Sequence, residues 1–242
     1  MRRLLFVAPA VPCPTGSGLQ MRAWVFLRGL ARDHAVTLVA GSPGFPAARP
    51  SDLDRLAGLV EETILLDFRP RLDPHLLLRS IGARLGWSRR PSWDWAEPTL
   101  AMRARLAHLR SRRFSHVHVF RLYMLPVALA AMGPDSPRIQ LDLDDWESET
   151  RLAISKLAAQ REPALTTRYR LEAAALAEQE GVWLARLSRV FVCSKDDAAA
   201  LAARHGLRNL QVVANSVAVP AVLPAPSEIQ PPELIFIGSL GY

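Results

Sequence analysis

The chain has 242 residues, half of them hydrophobic, with a formal net charge of +7 and two cysteines, Cys13 and Cys193. That length suits one α/β domain of about 200 residues with a short extension. Two cysteines exclude a disulfide framework and fit a reducing cytoplasm, and no apolar run approaches the roughly 20 residues needed to span a bilayer.

From the N-terminus, Arg3–Ala8 is an apolar run broken by Pro9 and Pro12. It is too short for the core of a signal peptide and reads as a buried first strand. Pro-Cys-Pro-Thr-Gly-Ser-Gly then leads into a helix from Leu19 to about Asp33. Ala35–Ala40 is a second strand. Ser51 is placed to cap a short helix with Asp54 completing a capping box, and Thr63–Leu66 is a third strand. Helices are expected over His75–Leu85 and Pro98–Ser111. His116–Phe120 is the next strand, followed by a short helix near Leu125–Ala131 and a strand over Arg138–Leu143. Glu147–Gln160 and Ala164–Leu187 read as helices broken at Pro163. Arg189–Cys193 is a strand, Lys195–His205 a helix closed by Gly206, and Leu210–Val213 a last strand. This alternation predicts an α/β domain over residues 1–219, a doubly wound, mostly parallel Rossmann-like sheet with helices on both faces. Pro220–Pro232 reads as a linker. Glu233–Gly238 then reads as a buried strand opening a second domain that residues 233–242 only begin.

In open α/β sheets ligands sit beyond the carboxyl ends of the strands, so the residues just after each strand carry the functional signal. After the first strand, Gly16-Ser17-Gly18 enters a helix, where backbone amides and the helix dipole suit an anion; a tight turn is the other reading. Gly16-x-Gly18-x-x-Met21 lacks the third glycine of a dinucleotide fingerprint, and no Gly-Lys-Ser/Thr marks a P-loop. Arg22, one turn into the helix, is placed either to assist an anion or to face solvent. The densest signal is Asp142-Leu-Asp144-Asp145-Trp-Glu147-Ser-Glu149. Capping of the following helix, with Asp145 as cap, explains one or two of these acids and not five. Ser194 reads as an N-cap, and Asn215 as a bridge between loops or a ligand group.

Six histidines show no metal-ligand spacing. His116 and His118 share one face of a strand and read as packed. Between Arg69 and Arg113 arginines outnumber Asp73, Asp94 and Glu97 by enough to account for the whole charge excess. With Trp87, Trp93 and Trp95 interleaved, Arg89, Arg90, Arg110, Arg112 and Arg113 suit an anionic bilayer or lipid-linked acceptor more than nucleic acid. A solvated helical face is the plain alternative.

With these residues on the page, the chain resembles the N-terminal half of GT-B glycosyltransferases of the family-four type. The resemblance rests on the order of Pro12-x-Pro14-x-Gly16-x-Gly18-x-x-x-Arg22, Leu141-Asp142-x-x-Asp145-x-x-Ser148, Tyr169-x-x-Glu172-Ala173-x-x-Leu176-x-x-x-Glu180, Val190-Phe-Val-Cys-Ser194, Val212-Val-Ala-Asn215 and Leu234-Ile-Phe-Ile-Gly-Ser-Leu. It implies that this domain binds a lipid-linked or glycan acceptor while a C-terminal domain, here cut short, binds the nucleotide-sugar. It further implies that Gly16, Ser17, Gly18 and Arg22 approach the donor diphosphate. Asp145, with Asp142, then serves at the transferred sugar, in a cleft shared with Asp144, Glu147, Ser194 and Asn215. Such enzymes usually need no metal or other cofactor. The expected setting is cytoplasmic, peripheral at the inner face of the membrane, without nucleic acid. The family's Asn-Gly-Val-Asp stands here as Asn215-Ser216-Val217-Ala218. Without a donor domain no transfer is expected. Two rivals are an acceptor-binding module pairing with a separate donor subunit, and a haloacid dehalogenase-type phosphatase using Asp142-x-Asp144 with Mg²⁺.

Overall fold

The computed structural model describes residues 2–41, 49–68, 78, 81, 97–132, 138–159 and 162–216. Most of the helix expected over His75–Leu85, the linker and the strand expected over Glu233–Gly238 lie outside them, as do Trp87, Arg89 and Arg90.

Seven strands are described: β1 (Arg2–Ala8), β2 (His34–Ala40), β3 (Glu62–Leu65), β4 (His116–Phe120), β5 (Arg138–Asp142), β6 (Arg189–Val192) and β7 (Leu210–Val212). They form one sheet in the order β3-β2-β1-β4-β5-β6-β7, and every adjacent pair is parallel. The expected doubly wound α/β sheet is what the chain forms. Its helices are α1 (Gly18–Leu30), α2 (Pro50–Asp54), α3 (Leu100–Leu106), α4 (Leu125–Ala131), α5 (Glu147–Ala158), α6 (Pro163–Trp183) and α7 (Lys195–His205).

The apolar runs of β1 and β4 are explained by burial on both faces. Leu4, Phe6 and Ala8 meet Ala23 and Leu27 of α1 and Leu56 on one face. Leu5 and Val7 meet Val117, Val119 and the α3 and α4 side chains on the other. Burying a leucine or phenylalanine here contributes about 1.5–3 kcal/mol each.

Local chemistry sets the boundaries. Ser194 caps α7, accepting from the Asp197 amide, and Gly206 closes it in the left-handed conformation at φ 65°. Gly41 leaves β2 at φ 132°, and a Cβ there would lie 2.4 Å from the Leu66 carbonyl oxygen, so only glycine fits. Pro163 stands at the first turn of α6 rather than inside a helix. Two expected caps are corrected. α2 begins at Pro50, with Asp52 accepting from the Arg49 amide, so Ser51 is already inside it. Asp145 does not cap α5 either. Trp146 holds the cap position, and the Ser148 amide donates instead to Glu180 of α6 at 3.0 Å.

Candidate functional site

The strand order reverses direction between β1 and β4, the point where an open parallel sheet leaves a crevice at its carboxyl edge. Asp142, the last residue of β5, sits at that edge and is fully buried. A buried carboxylate is costly unless paired and hydrogen-bonded. Arg22 supplies the pair from α1, its Nε 3.0 Å from Asp142 Oδ2 and its Nη2 3.0 Å from Oδ1. Burial pushes the Asp142 pKa up to about 6, with Arg22 opposing that rise. The remaining Arg22 donor, Nη1, reaches the Val213 carbonyl at 2.7 Å and Asn215 Oδ1 at 3.1 Å. Arg22 therefore faces neither solvent nor an open anion site. It ties α1 to β5 and to the segment leaving β7.

The next carboxylate, Asp144, has φ 59°. Its amide donates to Asp142 Oδ1 at 3.0 Å, and its own carboxylate lies 3.7 Å from Arg22 Nε and 3.1 Å from Arg121 Nη2. Burial raises its pKa, with Arg121 opposing. Cys193 donates to the Asp144 carbonyl, and burial pushes that thiol up to about 11, so it is no nucleophile at neutral pH.

Asp145 differs from both. Its side chain is 57% exposed, and Arg121 Nη2 holds it at 2.8 Å. Arg121 is the first residue past β4 and carries φ 71°. Burial works against its charge, but Glu147, Asp144 and Asp145 outweigh burial and keep it protonated. Positive φ at two non-glycine residues that touch each other is the kind of backbone strain that clusters at working sites. The sequence reading missed Arg121. The signal available was a cation directly after a strand whose neighbour ends in acids.

Glu147, expected in the cleft, is buried instead. It accepts from the Leu122 amide at 3.1 Å, and burial raises its pKa to about 8 against the pull of Arg121. Glu180 is fully buried and collects three donors from the start of α5, including Trp146 Nε1 and Ser148 Oγ. The two glutamates of the Tyr169-to-Glu180 motif thus fasten α6 to α5, Glu172 lying 3.8 Å from Arg151 of α5 while pairing with Arg168 of its own helix at 2.9 Å. Ser194 is engaged as the α7 cap, and Asn215 bridges to Arg22.

At the glycine loop, Ser17 and Gln20 form a reciprocal capping box. A Cβ on Gly16 would lie 2.6 Å from Gln20 Oε1, whereas one on Gly18 would meet open space. The amides of Gly18 and Leu19 begin the helix and have no intrahelical acceptor. His118 packs between Phe6 and Phe26, at 4.9 and 5.0 Å, below Arg22. Neither of its ring nitrogens has a partner, and burial lowers its pKa to about 3. Of the arginines expected at a membrane, Arg110 donates to the Ala130 carbonyl, and Arg112 pairs with Glu62 at 2.6 Å. Among the described residues no cluster of metal-ligating side chains occurs, and no helix is long and apolar enough to cross a membrane.

No protein-family model matches the chain, and no curated protein does. Among solved structures it is similar to a complex of a UDP-glucosyltransferase from Polygonum tinctorium, capable of glucosylating indoxyl, with 3,4-dichloroaniline. The identity is 14% over 93% of this chain and 55% of that one, with a TM-score of 0.48. The chain spans about half the length of that enzyme.

Proposed function

We propose that the chain is the acceptor-side half of a GT-B glycosyltransferase, which moves a sugar from a nucleotide-sugar to a lipid-linked or polysaccharide acceptor in cell-surface glycan synthesis. One observation carries this reading. Of the three aspartates at the carboxyl end of β5, Asp142 and Asp144 are consumed by Arg22, Arg121 and the backbone, and Asp145 alone is presented to solvent. An oriented, open carboxylate at the carboxyl edge is suited to position an acceptor hydroxyl and receive its proton. Arg121 fixes that carboxylate against rotation.

In this reading the donor is held by a second domain. Its diphosphate approaches the start of α1, where the Gly18 and Leu19 amides and the helix dipole favour negative charge. The absence of a packing reason for glycine at position 18 supports a close approach there. The reaction so read calls for no cofactor beyond the nucleotide-sugar substrate. The phosphatase alternative needs Asp142 as an accessible nucleophile, and its full burial beneath Arg22 speaks against that role.

The test is an array of immobilised oligosaccharides and lipid-linked glycans probed with the wild-type chain and with Asp145→Asn. Retention of at least one glycan, weakened ten-fold or more in the variant, is the expected result. Equal binding by both proteins, or none by either, would refute the assignment.

A further inference from the structure

Among the described residues, no side chain between Glu147 and Ala175 belongs to either apolar core, although this stretch holds all of α5 and more than half of α6. The two helices run antiparallel. The Ser148 amide at the start of α5 donates to Glu180 near the end of α6, and the Glu162 amide before α6 donates to the Ala158 carbonyl that ends α5. Past Glu180 the chain reaches the amino-terminal edge of the sheet, where the Leu184 and Leu187 carbonyls accept from Asn209, just before β7. α6 is one unbroken helix, so its earlier turns run the other way, beyond the carboxyl edge. The length of α5 carries the pair about 18 Å past that edge, beside Asp145.

The seam between the two helices is polar. Ser155 and Thr166 are buried, each bonding a carbonyl of its own preceding turn. Glu172 lies 3.8 Å from Arg151 across the seam, and its Oε2 is buried without a hydrogen bond. With no share in the apolar cores before Leu176, the pair is held to the body at its base. There Glu180 accepts from Trp146 Nε1, the Ser148 amide and Ser148 Oγ, and Arg204 of α7 pairs with Glu149 and lies over the Trp146 ring. Each attachment has a pivot beside it. Asp144, with φ 59°, precedes α5. Gly181 follows Glu180 inside α6, where a Cβ would meet only His205 Nδ1 at 3.8 Å, an ordinary contact, so packing does not require a glycine. A glycine in a helix interior eases bending because its backbone is the least restricted.

We propose that the α5–α6 pair is a hinged arm that opens and closes as one unit beside the crevice, on pivots at Asp144 and Gly181. Opening draws Asp145 away from Arg121, the cation that orients its carboxylate, so the position of the arm sets the geometry of the candidate site. The motion rests on packing and on the two pivots and is independent of the transferase reading.

The experiment is native-state hydrogen exchange of the whole chain, read by mass spectrometry at rising sub-denaturing urea. Peptides across residues 147–176 should share one opening equilibrium and exchange about 100-fold or more faster than those of β1. Val36→Ala, which thins the core of the body, should speed β1 exchange about ten-fold and leave the arm unchanged within about two-fold. Ser148→Ala removes one donor from Glu180 and should speed the arm about five-fold. Gly181→Ala stiffens the pivot and should slow the arm about five-fold. Circular dichroism confirms that the variants remain folded. Exchange of the arm together with β1, an equal rise in both with Val36→Ala, separate rates for α5 and α6, or an arm unmoved by Gly181→Ala would each overturn the proposal.

Discussion

Removing Arg22 should destabilise the fold far more at alkaline than at acid pH. Arg22→Met keeps most of the apolar stem but leaves Asp142 buried and unpaired, a change that costs about 3–5 kcal/mol. Loss of the bonds to Val213 and Asn215 adds about 1 kcal/mol each, partly recovered by water near the exposed Asn215. Against a typical domain stability of about 5–15 kcal/mol, the variant should be close to unfolding at pH 8. The pH dependence follows from proton binding. Asp142 holds its proton to about pH 6 in the folded chain and to about 3.8 when unfolded, so its burial lowers stability as pH rises through that window. Without Arg22 the folded pKa climbs further, and the loss continues above pH 6. At pH 5 the carboxyl is mostly neutral with or without Arg22, and the penalty should shrink to about 2 kcal/mol. Asp142→Asn in the Arg22→Met background removes the charge while still accepting from the Asp144 amide, and should recover most of the loss at pH 8. Urea unfolding followed by tryptophan fluorescence at pH 5 and pH 8 measures all four proteins of the cycle. A cost below about 1 kcal/mol at pH 8, or an equal cost at both pH values, would refute the pairing logic.

Four further substitutions have opposed signatures. Glu147 is protonated in the folded chain up to about pH 8 against 4.5 for an ordinary glutamate, so stability falls as pH rises between these values; Glu147→Gln should flatten that slope and gain up to about 5 kcal/mol above pH 8, read as melting temperature against pH. His118 stays neutral in the fold to about pH 3 against an ordinary 6.5, so its contribution to stability is lost as pH falls below 6.5; His118→Phe should remove that acid loss, seen as a urea midpoint that rises relative to the wild type more at pH 4.5 than at pH 7.5. Gly41→Ala should cost about 3 kcal/mol because its φ of 132° and the Leu66 carbonyl exclude a side chain, whereas Gly18→Ala should be neutral or stabilising by up to about 1 kcal/mol; equal thermal shifts in the two would contradict this.

What the sequence reveals here depends on how far apart the partners lie. The first strand was legible because burial on both faces demands an unbroken apolar run, as in Leu4–Ala8. α7 was legible because both of its boundaries, Ser194 and Gly206, are set by local backbone chemistry. The acidic segment after β5 stood out as a candidate site, but which of its acids are buried and paired did not. Arg22 lies 120 residues before Asp142, and no local pattern marks it as the partner of a buried acid rather than of an anion. Asp145 looked like a helix cap because capping is the local use of an aspartate. Arg121, just past β4, claims it, and Glu180 from α6 caps α5 in its stead. The same applies to Glu147, whose burial follows from packing under the α4 entrance and not from its own neighbours in sequence.

Calorimetric titration of the 242-residue chain, first with a panel of nucleotide-sugars and then with an acceptor glycan, tests the division of labour most directly. The expected result is saturable heat with the acceptor, reduced in Asp145→Asn, and no saturable binding of nucleotide-sugars tighter than millimolar. A micromolar Kd for any nucleotide-sugar, with none for an acceptor, would contradict the assignment of this domain to the acceptor side.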